Sequence, residues 1–113
     1  MKMLQIITRP PRLDDVIEAL RQHGVRGLTI TDVTGCGKQR GRTERYRGAE
    51  YTIQLQPKVK IETVVPDEGV EDLMRAVAQA ARTGEIGDGK IFVVALDECI
   101  RIRSGETGKI AIG

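Results

Sequence analysis

The feature that most restricts the fold is a doubled plan, in which each half of the chain sets one amphipathic helix between two β-rich runs. In the first half Leu13, Val16, Ile17 and Leu20 recur at i, i+3, i+4 and i+7, the spacing of one helix face. In the second half Val70, Leu73, Met74, Val77, Ala78 and Ala81 form the same stripe after Pro66. Asp14 and Asp15 favour the dipole of the first helix, and Gly24 and Gly84 can each end a helix in a left-handed turn.

The flanking runs read as strands. Residues 2–8 are mostly apolar and are stopped by Pro10 and Pro11. Residues 27–33, GLTITDV, are rich in β-branched side chains. From Tyr51 the pattern has period two, with Tyr51, Ile53, Leu55, Pro57, Val59 and Ile61 on one side. Thr52, Gln54, Gln56, Lys58, Lys60 and Glu62 fall on the other, so this reads as one long strand with an apolar face. Residues 90–97 read as a buried strand, and 99–103 as a short alternating piece.

Strand–helix–strand, a long loop, and strand–helix–strand again define an α+β fold of the split βαβ (βαββαβ), or ferredoxin-like, kind. It predicts a four-stranded antiparallel sheet with two helices on one face. With one Phe, two Tyr and no Trp, the open face lacks the stacking aromatics that RNA recognition on a sheet needs. Another subunit is the expected cover.

At 113 residues the chain is one domain. The net charge of +2 gives no bulk pull toward nucleic acid or membrane. Cys36 and Cys99 form no CxxC and His23 is the single histidine, so soft ligands cannot assemble a zinc site. No apolar run approaches the length of a membrane span and no cleavable leader pattern opens the chain, which predicts a soluble cytoplasmic protein.

The connection between the halves contains GCGKQRGRTERYRGAEY, residues 35–51. Connections in compact domains have a median of about 4–6 residues, and longer ones are usually functional or disordered. The charge fits a solvated hairpin; the glycines Gly35, Gly37, Gly41 and Gly48 further permit tight or left-handed backbone.

Residues 84–90, GEIGDGK, match the spacing GxxxxGK. A true P-loop follows a strand, opens a helix and carries Ser or Thr after the lysine. Here a helix precedes, a strand follows and Ile91 is next, so that label fails. What remains is either an ordinary turn or a nest of backbone N–H groups for an anion, with Lys90 adding charge. Arg101 and Arg103 would share one face of an extended strand, suiting either a solvated edge or a polyphosphate gripped by paired hydrogen bonds. Lys58 and Lys60 taken alone are ordinary surface charge. His23 reads as a capping or surface residue, and no nucleophile–base pairing is present, so no catalytic residue is expected.

These motifs resemble the PII nitrogen-regulatory signal-transduction proteins over nearly the whole chain. RTERYRGAEY resembles the family's T-loop, PKVKIE the strand after it, and ARTGEIGDGKIFV and IRIRSGETG its B-loop and C-loop. In this chain those loops fall at about 37–55, 82–90 and 101–106. The resemblance implies a homotrimer that binds ATP or ADP in clefts between neighbours, with 2-oxoglutarate beside Mg-ATP. The phosphates would lie against Gly35, Cys36, Gly37, Lys38, Gly87, Asp88, Gly89 and Lys90. Arg101 and Arg103 would reach in from the adjacent subunit, and Ile7, Thr29, Glu62 and Val64 would complete the nucleotide site. Gln39 would help hold Mg2+, and Lys58 would pair with a 2-oxoglutarate carboxylate, with Gly37, Gly41 and Gly87 close by.

The loop tip, with Arg45, Tyr46 and Arg47, would contact partners such as an ammonium transporter or an enzyme or regulator of nitrogen assimilation. Tyr51 occupies the position that a nucleotidyltransferase modifies in many relatives; read from its own context it is a strand tyrosine on the apolar side. The resemblance implies a regulator rather than an enzyme, no nucleic-acid partner, and a membrane only through a transporter. Several residues depart from the family pattern. Arg9, Pro10, Pro11 and Arg12 stand where Lys-Pro-Phe-Lys is usual, Cys36 where an aromatic is common, and Lys38 for an arginine. Arg42, Arg45, Gln54 and Gln56 replace His, Leu, Asp and Leu. The alternative they raise is a divergent adenylate or anion sensor with a partner outside ammonium assimilation.

Overall fold

The computed structural model describes residues 1–36, 43–46, 49–52 and 55–112, with the backbone alone for 43–46 and 49–52. Strand β1 (Lys2–Thr8) turns Leu4, Ile6 and Thr8 inward, all essentially buried. Pro10 cannot donate a ladder hydrogen bond, and a 3-10 turn at Pro10–Arg12 delivers the chain into helix α1 (Leu13–Gln22). Val16 and Leu20 are fully buried on the face that the periodicity predicts. Gly24 ends the helix at φ 84°, with its N–H bonded to the Arg21 carbonyl and that of Val25 to Leu20, both at 3.0 Å. This pair of bonds is a Schellman cap, satisfying carbonyls that the last helical turn leaves open.

Strand β2 (Thr29–Cys36) runs to the start of the long connection, inside which β3 (Thr43–Tyr46) and β4 (Ala49–Thr52) pair as an antiparallel ribbon. Strand β5 (Leu55–Val65), helix α2 (Val70–Ala81) and strand β6 (Gly89–Ala95) complete the second half. The main sheet has the order β2-β5-β1-β6, antiparallel throughout. Each βαβ unit therefore holds a strand of the other between its own two strands, as the split βαβ plan requires. Both helices cover one face. The core between them is wholly aliphatic, with Leu4, Ile6, Val16, Leu20, Ile61, Val65, Val70, Leu73, Val77 and Ala81.

Four local expectations change. The strand expected from Tyr51 onward is two elements, since Tyr51 lies in β4 opposite Glu44 while β5 begins at Leu55. Alternation reports a pleat but not which strand pairs with it. Leu55 is 67 % exposed and burial begins at Lys58 and Val59, so the expected apolar face is covered along only part of its length.

Helix α2 ends with Arg82 in extended conformation, and Gly84 at φ 91° belongs to the next turn rather than to the helix cap. Strand β6 is an edge, with Phe92, Val93 and Val94 exposed; an apolar run signals that burial is needed but not what supplies it. Residues 99–103 form no strand. A single bridge joins Ile100 to Thr107, and a turn lies between them. Among the described residues no helix is long and apolar enough to cross a membrane.

Candidate functional site

After Arg82 the chain makes a tight turn organised by one carboxylate. Asp88 Oδ2 accepts from the N–H groups of Thr83 at 2.8 Å and Gly84 at 2.9 Å, and Oδ1 accepts from the Thr83 hydroxyl. The guanidinium of Arg9, just beyond β1, closes the turn from the other side. Its Nε donates to Asp88 Oδ1 at 3.1 Å and its Nη2 to the Ile86 carbonyl at 2.8 Å. These contacts, led by the Thr83 hydroxyl, hold the Asp88 carboxyl far below the usual carboxylate range despite some desolvation.

Lys58 reaches the same turn from the middle of β5, its ammonium donating to the Gly87 carbonyl. The residue is only 7 % exposed. Burial, then the positive charge of Arg9, lowers its proton affinity, and Asp88 partly opposes them. Its access depends on Gly35 in the neighbouring strand, where a Cβ would lie 3.1 Å from Lys58 Cγ. Gly35 thus serves β2 by leaving space beside Lys58, not by turning the chain.

The backbone of the turn follows from these anchors. In a trans peptide the C=O and N–H point in opposite directions. With the Ile86 carbonyl held by Arg9 and the Gly87 carbonyl by Lys58, the N–H groups of Gly87 and Asp88 are aimed away from both cations. Gly87 and Gly89 take φ of 100° and 105°, open to glycine at low cost. At Gly89 even alanine is excluded, because its Cβ would stand 1.8 Å from the Ile7 carbonyl oxygen. The result is a cleft of about 660 Å³ between the end of β2 and the turn, holding Gly35, Cys36, Lys58, Gly87, Asp88, Gly89 and Lys90, with Ile7 and Phe92 as apolar lining. Its volume lies within the range of small-molecule sites, roughly 300–1,000 Å³.

Thr29, Glu62 and Val64 are elsewhere. Thr29 pairs with Glu62, and Val64 follows on the same open face. Thr29 precedes Gly35 by six residues along β2, which at about 3.4 Å each is roughly 20 Å. Within one chain these residues and the cleft therefore stand well apart. Arg101 and Arg103 do not share a strand face as expected: Arg101 is tied into its own turn, and Arg103 is exposed. Tyr51, Arg45 and Tyr46 lie on the β3–β4 ribbon, known here by backbone only. Gly37, Lys38, Gln39, Gly41 and Arg47 lie outside the described residues.

Sequence reasoning missed Arg9 and Thr83, which build the turn. The signal for Thr83 was its spacing to Asp88 across two glycines, a side-chain-to-backbone pattern characteristic of turns. Arg9 gave no local signal, because its partners lie almost eighty positions away.

Fold and cleft together define a small α+β protein with a glycine turn and buried lysine suited to an anionic ligand. The family model "Nitrogen regulatory protein P-II" matches residues 1–106. Proteins named Nitrogen regulatory protein P-II from Rhodospirillum rubrum, Mesorhizobium japonicum and Haemophilus influenzae are 54 %, 52 % and 52 % identical to it. Each similarity covers 112 residues, 99 % of this chain and 100 % of the relative. The chain belongs to the P-II family of nitrogen regulatory proteins.

Proposed function

We propose that this chain is a trimeric nitrogen-regulatory signal transducer that senses ATP, ADP and 2-oxoglutarate. It acts in the cytoplasm and controls an ammonium transporter, or an enzyme or regulator of nitrogen assimilation, through the T-loop at about 37–55. It is a regulator with no catalytic residue. The observation that carries this reading is the meeting of Lys58, Gly35 and the Gly87–Lys90 turn in one cleft.

The cleft suits a polyphosphate. Left-handed glycines bring backbone close, the Gly87 and Asp88 N–H groups are turned away from Arg9 and Lys58, and Lys90 adds charge. Asp88 contributes by fixing the turn, since its carboxylate is already engaged by Thr83, Gly84 and Arg9. Among the described residues no group of three His, Cys, Asp or Glu side chains could hold a metal ion. Magnesium would rest on phosphate oxygens and Gln39, as the family resemblance implies, in keeping with its preference for oxygen ligands.

Lys58 would give up the Gly87 carbonyl for a 2-oxoglutarate carboxylate, a stronger charge-assisted partner. Gly37 and Gly41 would close over that acid. The separation of Thr29, Glu62 and Val64 from the cleft supports a site completed between copies, the adenosine lying against one subunit and the phosphates against the next. Arg101 and Arg103 would approach the phosphates from the subunit adjacent to the one whose glycine turn holds them. Arg45, Tyr46 and Arg47 would meet the partner, and Tyr51 would be open to a nucleotidyltransferase.

Titration calorimetry tests the proposal. ATP should bind, and 2-oxoglutarate should bind only with Mg-ATP present. No ATP binding would sink the reading altogether, while ATP binding with no 2-oxoglutarate response would leave the divergent adenylate sensor in its place.

A further inference from the structure

After β6 the chain carries an ion pair for which the nucleotide reading has no use. Arg101 Nη1 donates to Glu106 Oε1 at 2.6 Å, and Nη2 donates to the Ile110 carbonyl at 3.0 Å. The backbone closes the same turn, with Arg101 N–H bonded to the Glu106 carbonyl and Gly105 N–H to that of Arg101, both at 2.8 Å. The Ser104 hydroxyl adds a bond to Glu106 Oε1 at 2.8 Å. Ile110 lies in the final 3-10 turn, Gly108–Ile112. One guanidinium thus ties the turn to the tail.

We propose that Glu106 governs how available Arg101 is to nucleotide. This rests on the reading of Arg101 as a phosphate ligand. Without polyphosphate, the Glu106 carboxylate and the Ile110 carbonyl occupy the guanidinium. A nucleoside di- or triphosphate takes their place, and the tail loses that anchor. The exchange is chemically matched, because the same planar fork of donors accepts a carboxylate or phosphate oxygens. It favours the nucleotide because Glu106 offers one negative charge and a polyphosphate several. The pair can also give way: the side chains of Arg101 and Glu106 are 30 % and 43 % exposed, and ion pairs in contact with solvent are weak. Glu106 is therefore a residue that sets phosphate affinity without touching phosphate.

The test uses the full chain in its native assembly. Glu106→Gln keeps the side-chain shape and removes the competing charge. ATP and ADP should bind it about two- to five-fold more tightly in equilibrium titrations, the scale of an exposed ion pair, and the gain should shrink in high salt. In the unsubstituted protein, saturating ATP should speed amide exchange in residues 108–112. Unchanged or weaker nucleotide binding by Glu106→Gln, with ATP still binding the unsubstituted chain, overturns this proposal alone. So does a tail whose exchange ATP leaves unchanged or slows. Failure of the unsubstituted chain to bind ATP overturns the parent reading and this proposal with it.

Discussion

The Lys58 ammonium donates to the Gly87 carbonyl, fastening the middle of β5 to the glycine turn that precedes β6. These positions are 29 residues apart in the chain, and their contact ties the opening strand of the second half to the turn before its closing strand, beside Gly35 of the first half. Burial and Arg9 lower the proton affinity of Lys58, so folding works against its charged form. Below the lowered folded value the cost is fully present; it fades as pH rises toward the ordinary lysine range. Stability of the native chain relative to Lys58→Met should therefore improve as pH rises toward the ordinary lysine value of about 10.4, as read by denaturant unfolding. A difference that stays flat over this rise would remove the desolvation argument.

The same lysine separates two ligands. Lys58→Ala should abolish 2-oxoglutarate binding while leaving ADP affinity within about three-fold, a change below the 1.4 kcal/mol that marks a factor of ten. Equal loss of both ligands in calorimetry would mean that Lys58 holds the turn together rather than gripping the acid.

Gly89 should be the least replaceable glycine among the described residues. Its Cβ would meet the Ile7 carbonyl, whereas a Cβ on Gly69, also at positive φ, has nothing within 4 Å. Gly69→Ala carries backbone strain alone, about 1–2 kcal/mol. Gly89→Ala adds a clash with main chain and should cost about 3 kcal/mol or more. Thermal unfolding of the two variants side by side gives the comparison, and equal costs would contradict it.

Asp88→Asn should cost about 1–2 kcal/mol at neutral pH, since charge-assisted bonds to Thr83, Gly84 and Arg9 become ordinary ones or are lost. The carboxyl sits far below its usual range in the folded state. Its contribution is present above the unfolded value near 3.9 and is lost as pH falls toward the folded one. The gap between native and variant stabilities should accordingly narrow below about pH 4. A gap independent of pH would assign the cost to shape rather than charge.

Arg9→Lys tests the fork that bridges Asp88 and the Ile86 carbonyl. An ammonium is a point charge and does not reproduce a planar donor pair. Amide exchange at Thr83 and Gly84, whose N–H groups donate to Asp88, should rise several-fold in the variant, with α1 unchanged.

The helices were legible because packing enforces one periodicity along each: Val16, Leu20, Leu73 and Val77 are buried where their spacing places them. Strand pairing was legible only as a plan. The alternation at Tyr51–Glu62 conceals a change of partner between β4 and β5, because a pleat looks the same in any sheet. The cleft was half legible. Glycine spacing marks Gly87 and Gly89, yet Gly35 reads as a turn until Lys58 is seen beside it. Arg101 and Arg103 were expected on an extended strand, and the bonds of Arg101 to Glu106 and Ile110 show a local alternative to the ladder. Long-range ties such as Arg9 to Asp88 have no spacing to betray them.

Strand β6 sets a deadline for every newly made chain. It has one neighbour in the sheet and leaves Phe92, Val93 and Val94 exposed, and an unpaired apolar edge is a template for any strand that arrives first. In the proposed trimer, the neighbouring copy must therefore reach β6 before another nascent or damaged chain does. A surplus of unfolded or damaged chains would thus threaten this protein through misassembly before any loss of fold.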